Sequence, residues 1–295
     1  MSTKINEIIT QKIIEKIEKA ISNGEVLPWN KPWTCNTIPV NYITQRPYRG
    51  VNCLLLDSGE YVTWSQICDL QKQNAQVKLR KGSKSQMVVF FSFKETTKEV
   101  VNPTNGAIEQ KEVRIPFLRY YKVFNISDVD GVSPRRVIVQ NAHTPVEQAE
   151  SIIKDYTQRE KIQLIHSNGD KACYSPVSDT ITLPPKESFI NSSEYYSTLF
   201  HELTHSTGNA KRLGRISNQT YFGDEAYSKE ELVAEMGAAM LCGQCGIDNS
   251  TTLDNSVAYL QGWLKAIRDD ITLIISASSK AQKAVDFLLG VEPNT

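Results

Sequence analysis

The chain has 295 residues, 40% hydrophobic, 22% charged and 8% aromatic, a composition that excludes a disordered or fibrous protein. Its 33 Lys and Arg balance 33 Asp and Glu, but unevenly: residues 1–140 hold 20 against 13, a surplus of +7, and residues 141–295 hold 13 against 20, a deficit of −7. At roughly 100 to 200 residues per domain the length gives two domains, and a basic half joined to an acidic half points to two tasks, with a polyanion as partner of the first.

Ile5, Ile9, Ile13, Ile17 and Ile21 recur every four residues, with Ile8 and Ile14 widening the stripe and Gly24 beyond it, which predicts an amphipathic first helix. Lys and Glu interrupt this segment, so it lacks the apolar core of an export signal, and no segment nears the ~18 apolar residues that span a bilayer. The expectation is a cytoplasmic protein with no membrane partner. Its six cysteines then read as thiols, including Cys242 and Cys245, whose CxxC lacks the second pair that would complete a zinc knuckle. Strand-like runs follow at 51–56, 87–93 and 113–124, with a helix near 64–74 and a hairpin turn around Asn102 to Gly106. Residues 131–146 gather Gly131, Pro134 and Pro145 in irregular sequence and read as a linker between domains 1–130 and 147–295. Past it the pattern is helical at 146–160, 193–207, 229–243, 255–269 and 277–289, with short strands near 162–165, 172–175 and 180–183. The fold class is therefore α+β: an N-terminal α+β domain followed by a mainly helical one.

The strongest chemical signal is His201-Glu202-Leu203-Thr204-His205. Four-residue spacing on a helix puts both imidazoles on one face, where they can share a metal ion, and holds Glu202 beside the remaining position as a general base. With His at 4 and Glu at 20 of 295 positions, a chance HExxH has a probability of roughly 0.4%. Leu199, Phe200 and Leu203 supply an apolar face and Gly208 marks the helix end, so the motif belongs on a buried helix. A hydrolytic site needs a third protein ligand, and no histidine follows His205. Acidic residues do follow: Glu231 and Glu235 stand one turn apart on a helix whose Ala234 and Ala238 permit close approach. This is the gluzincin pattern, with Glu231 as ligand and Glu235 hydrogen-bonding a metal-bound histidine from behind. Glu230 points roughly 100° away and is the weaker ligand candidate. The metal is expected to be zinc, with manganese or cobalt as the other candidates. The strands before the motif helix offer an edge for an extended peptide, and His143 and His166 read as ordinary packing or surface histidines.

The basic half carries Trp29, Lys31, Trp33, Arg46, Tyr48, Arg49, Trp64, Arg80, Lys81 and Lys84. Aromatic faces stack on unpaired bases and interleaved cations neutralise phosphates, a combination suited to single-stranded DNA.

The two halves together resemble one family, the ArdC-type antirestriction proteins of conjugative plasmids and other mobile elements. The resemblance rests on PWNKPW (28–33), PYRGVNCLLL (47–56), TWSQ (63–66) and KGSKSQMVVFF (81–91) in the first half. In the second it rests on DTITLPP (179–185), LFHELTHSTG (199–208), RLGR (212–215), EELVAEMGAAMLC (230–242) and AYLQGW (258–263). It implies an N-terminal domain that binds single-stranded DNA and a C-terminal zincin-like domain related to SprT-type peptidases. The expected protein is thus an antirestriction factor with a zinc metallopeptidase-like site, whose candidate protein partners are a DNA-bound protein and a restriction enzyme. The alternative from another class is a DNA-binding protector whose metal site is structural or vestigial.

Overall fold

The four-residue spacing of isoleucine builds α1 (Ser2–Asn23), in which Ile9, Ile13 and Ile17 are fully buried. The structure, a computed structural model, describes residues 2–23, 38–101, 108–136, 144–216, 225–248 and 257–291. After α1 come β1 (Val40–Asn41), α2 (Val51–Leu55), β2 (Glu60–Thr63), α3 (Trp64–Gln73), β3 (Lys78–Leu79), β4 (Gln86–Val101), β5 (Ile108–Asn125) and β6 (Val129–Asp130). Strands β4 and β5 form a long antiparallel ribbon in register from Gln86↔Val123 to Val101↔Ile108, and the hairpin turn expected around Asn102 to Gly106 lies outside the described residues. The sheet order is β1-β2-β5-β4, with β3 and β6 pairing separately. Thr63 starts α3 with a capping box to Gln66, a local signal that needs no tertiary help.

One predicted strand is a helix. Residues 51–55 form α2, because a short apolar run does not by itself distinguish the two. Tertiary contacts decide it: the buried Asn52 amide accepts from Val89 N at 2.7 Å and donates to Val89 O at 2.8 Å, satisfying the free edge of β4. Gly50, at φ 56°, turns the chain into α2 in a conformation open to glycine.

The second half runs α4 (Pro145–Glu160), β7 (Gln163–His166), β8 (Cys173–Ser175), β9 (Thr180–Leu183), α5 (Ser192–Ser206), α6 (Glu225–Cys245), α7 (Val257–Asp269) and α8 (Leu273–Leu288). Each matches an expected element, and Thr144 opens α4 with a capping box to Glu147 and Pro145 in the first turn. The small sheet has order β7-β9-β8, leaving antiparallel β8 at an edge. Cys242 and Cys245 are interior residues of one core, where burial pushes both thiols up to about 12, so they pack rather than react. Among the described residues no helix is long and apolar enough to cross a membrane.

The largest core does not respect the midpoint of the chain. Ile9, Ile13 and Ile17 of α1, Leu54 of α2 and Val89 of β4 share it with Leu232 and Met236 of α6, Leu264 of α7 and Ile274 of α8. Burying each isoleucine contributes about 1.5 to 3 kcal/mol, so a chain ending at residue 130 would expose the face that seats α1. Polar contacts lie over the same seam: Thr10 Oγ1 donates to Ile271 O at 2.7 Å, and Gly50 N donates to Gln282 Oε1 at 3.2 Å. In the expected linker, Arg135 N donates to Glu60 Oε2 at 2.8 Å, holding that part against the first half, while residues 137–143, with His143, lie outside the described part.

Candidate metal centre and nucleic-acid surface

Asn191 caps α5 by accepting from Glu194 N at 2.9 Å, and the helix buries almost every residue from Tyr195 onward. His201 and His205 therefore project together, with Nε2 atoms 3.1 Å apart. Helix α6 brings Glu231 onto them: Oε2 lies 3.4 Å from His201 Nε2 and Oε1 lies 3.2 Å from His205 Nε2. One donor atom from each of the three falls within 4.8 Å of the others. Glu202 is buried beside this donor set without joining it.

Burial disfavours charge on His205 and Glu231, but their contacts outweigh it. Burial opposes protonation of His205, yet Glu230 and Glu231, with the nearby charge of Glu202, push it up to about 10. Burial likewise opposes ionisation of Glu231, and the two histidines override it, holding the carboxyl well below the usual range.

The two helices approach closely at Gly237, where a Cβ would sit 2.5 Å from Thr204 Cγ2. Ala234 and Ala238, the small residues singled out in the sequence, are also fully buried. The C-terminal end of α5 is held by two arginines of the RLGR segment. Arg212 donates to Ser206 O at 2.9 Å and Arg215 to Thr204 O at 2.9 Å, each satisfying a terminal carbonyl. Gly208 serves close packing, since a Cβ there would meet Ile216 Cγ1 at 2.7 Å.

Glu230, the weaker ligand candidate, stays outside the donor set and sets its carboxylate behind His205. Its Oε1 lies 3.7 Å from His205 Nδ1, past hydrogen-bond length but within ion-pair range. Arg215 grips the same carboxylate at 3.1 and 2.8 Å. Glu235, expected to hydrogen-bond a metal-bound histidine from behind, is buried one turn further along α6. The EE pair at 230–231 and the arginine ten residues after His205 were visible signals, but spacing alone does not show which acid turns inward. His166 stacks on Tyr195 and contacts its hydroxyl at 3.0 Å, a packing histidine as expected.

The expected DNA-binding residues scatter. Trp29, Lys31 and Trp33 lie outside the described residues. Arg46, Lys81 and Lys84 are exposed, as is Trp64 at 58%. Arg80 is exposed but has Asp130 at 3.6 Å. Tyr48 is a correction: it is 7% exposed and packs edge-on against Tyr61, so it belongs to a core rather than a stacking platform. Arg49 is exposed and forms an ion pair with Asp286 of α8 across the seam.

The ribbon supplies aromatics that the strand pattern alone did not mark. Phe90 and Tyr121 share one face and are 46% and 44% exposed, their rings 5.6 Å apart, while Phe91 and Tyr120 on the other face are 58% and 51% exposed. Arg119, paired with Phe90 across the ribbon, is exposed on the first face.

Residues 3–124 match the family model for the N-terminal domain of anti-restriction factor ArdC, and residues 147–280 match that for a zincin-like metallopeptidase. The chain is similar to crystal structures of the antirestriction ArdC protein from the R388 plasmid. The metal-free form has a TM-score of 0.69 at 31% identity, covering 98% of this chain and 99% of that one. The Mn(II)-bound form has a TM-score of 0.71 at 30% identity, covering 97% of each. Protein y4eC of Sinorhizobium fredii is 33% identical over 97% of this chain and 92% of its own length. DNA primase TraC of Escherichia coli is 30% identical over 97% of this chain, which spans only 20% of that protein.

Proposed function

Because the chain belongs to the ArdC family of antirestriction factors, we propose that it protects DNA by binding single strands through its basic half and by cleaving a protein through a metal site in its acidic half. The donor chemistry fits a divalent ion: Glu231 Oε1 is buried and makes no well-aligned hydrogen bond among the described residues, and its 3.2 Å contact with His205 Nε2 sets a carboxylate oxygen against an imidazole nitrogen as two ligands of one ion would stand. This observation carries the reading, and the Mn(II) bound by the R388 protein supports it. His201, His205 and Glu231 would hold the ion, with zinc the first choice for two imidazoles and a carboxylate, and manganese or cobalt served by the same donors.

A divalent ion bound there supplies Lewis acidity, polarising a peptide carbonyl and lowering the pKa of water. Glu202 takes the proton of the attacking water and delivers it to the departing nitrogen. Edge strand β8 aligns an extended peptide by backbone pairing. The substrate class is a DNA-bound protein, such as a restriction enzyme, brought near the site by the same DNA.

The deciding experiment compares wild type with Glu202→Ala for metal content, oligonucleotide binding, cleavage of a DNA-bound protein and survival of transferred DNA. The variant is expected to keep metal and DNA binding and to lose cleavage. Protection that persists unchanged, with no cleavage by either protein, would favour a non-enzymatic protector.

On the DNA side, Phe90 and Tyr121 supply the stacking surface, with Arg119, Lys81 and Lys84 for phosphates. Replacing Phe90 or Tyr121 by alanine should weaken binding to a single strand by about 1 to 3 kcal/mol without moving the unfolding midpoint. Tyr48→Ala should instead lower the midpoint, because its ring is interior. Loss of binding that always tracks loss of stability would refute the stacking surface.

A further inference from the structure

Arg215 contributes nothing to the donor set, yet its side chain is 8% exposed and its guanidinium bridges the two helices that build the set. Nε and Nη2 donate to the Glu230 carboxylate at 3.1 and 2.8 Å. Nη1 donates to Thr207 Oγ1 and Nη2 to Thr204 O, both at 2.9 Å, on the α5 side. Glu230 in turn faces His205 Nδ1 at 3.7 Å, while His205 Nε2 points at His201 and Glu231.

We infer that Arg215, acting through Glu230, is a positioning residue that orients His205 toward a divalent ion; this rests on the metal reading proposed above. A histidine ligand binds through one nitrogen only if the other carries the proton, and a carboxylate behind the ring selects that tautomer. Glu230 can do so only while its own rotamer is fixed. A planar fork fixes both carboxylate oxygens at once, which a lysine ammonium cannot. The same guanidinium is anchored to the turn of α5 that carries His205, so ring and carboxylate are referred to one rigid group. Arg212 provides an internal control. It also holds a carbonyl of α5 and is more deeply buried, with its side chain 2% exposed, but its carboxylate partners are Asp179 and Glu160, away from the histidines.

The test uses the full chain stripped of metal and titrated with Co(II) alone, reading affinity and the visible absorption band, with thermal unfolding in parallel. Arg215→Met and the near-isosteric Glu230→Gln are expected to weaken Co(II) binding by about 10- to 100-fold and to shift the band. Arg215→Lys should recover only part of the affinity. Arg212→Met should lower the melting temperature while leaving affinity and band as in wild type. Wild-type affinity and spectrum in both Arg215→Met and Glu230→Gln would overturn the positioning role, as would losses that follow melting temperature equally at Arg212 and Arg215. Wild type that binds no Co(II) would overturn the metal reading itself, and this inference with it.

Discussion

Alanine at His201, His205 or Glu231 is expected to lower divalent-metal affinity by well over tenfold, because each removes one of three converging donors. Tenfold corresponds to about 1.4 kcal/mol. Glu202→Ala should bind metal as wild type does, since Glu202 lies beside the donor set and not in it. Equilibrium dialysis of the four variants, with oligonucleotide binding as a check on folding, separates the two outcomes. Full occupancy in Glu231→Ala would transfer the third ligand to another acid. Glu230 is a poor heir, being gripped by Arg215 through both carboxylate oxygens.

The second large effect is expected at Gly237, where alanine should destabilise the protein despite being the better helix former. Helix propensity alone favours Ala over Gly by about 1 kcal/mol. Against this, the new Cβ would meet Thr204 Cγ2 at 2.5 Å and Oγ1 at 2.7 Å, and Thr204 is fully buried with its hydroxyl bonded to Phe200 O at 2.7 Å. Such overpacking costs about 1 to 3 kcal/mol, and relief requires α5 and α6 to part. His201 and His205 flank Thr204 on one helix, and Glu231 rides on the other, so metal affinity should fall with stability. Thr204→Ala should rescue Gly237→Ala in a double-mutant cycle, since it removes the contacts at 2.5 and 2.7 Å and leaves the residue-204 Cβ at 3.1 Å. A Gly237→Ala protein that unfolds later than wild type in denaturant would show that the helices yield easily there.

Residues of the basic half divide differently in space than in sequence. Tyr48 and Arg49 stand among exposed-looking polar residues, yet one fills a core and the other ties α8 to the segment before α2. The stretch 47–56 is thus a junction between the halves: Arg49 pairs with Asp286 and Gly50 N donates to Gln282 Oε1 at 3.2 Å, while within the first half Asn52 holds β4 and Lys16 of α1 donates to Leu54 O at 3.1 Å and Leu55 O at 2.8 Å. Exposed aromatics fall instead on the β4–β5 ribbon, where Phe90 and Phe91 face opposite sides of a strand both of whose faces are partly open.

What the sequence determined by itself is what local spacing controls. Isoleucine every fourth residue is enough for α1, a Thr-x-x-Gln or Thr-x-x-Glu box for the starts of α3 and α4, and His-x-x-x-His for two imidazoles on one face of α5. Glu231 was legible for the same reason, as the first of two acids one turn apart on a helix whose Ala234 and Ala238 permit close approach. Tertiary structure alone decided the rest. Whether residues 51–55 became helix or strand depended on the edge of β4, which only Asn52 in the folded chain could meet. Which acid stands behind His205 depended on the rotation of α6 against α5, set by contacts such as Gly237 on Thr204, and on an arginine from the loop beyond. Periodicity reports which residues share a face; it carries no information about which face of a second element comes to meet them.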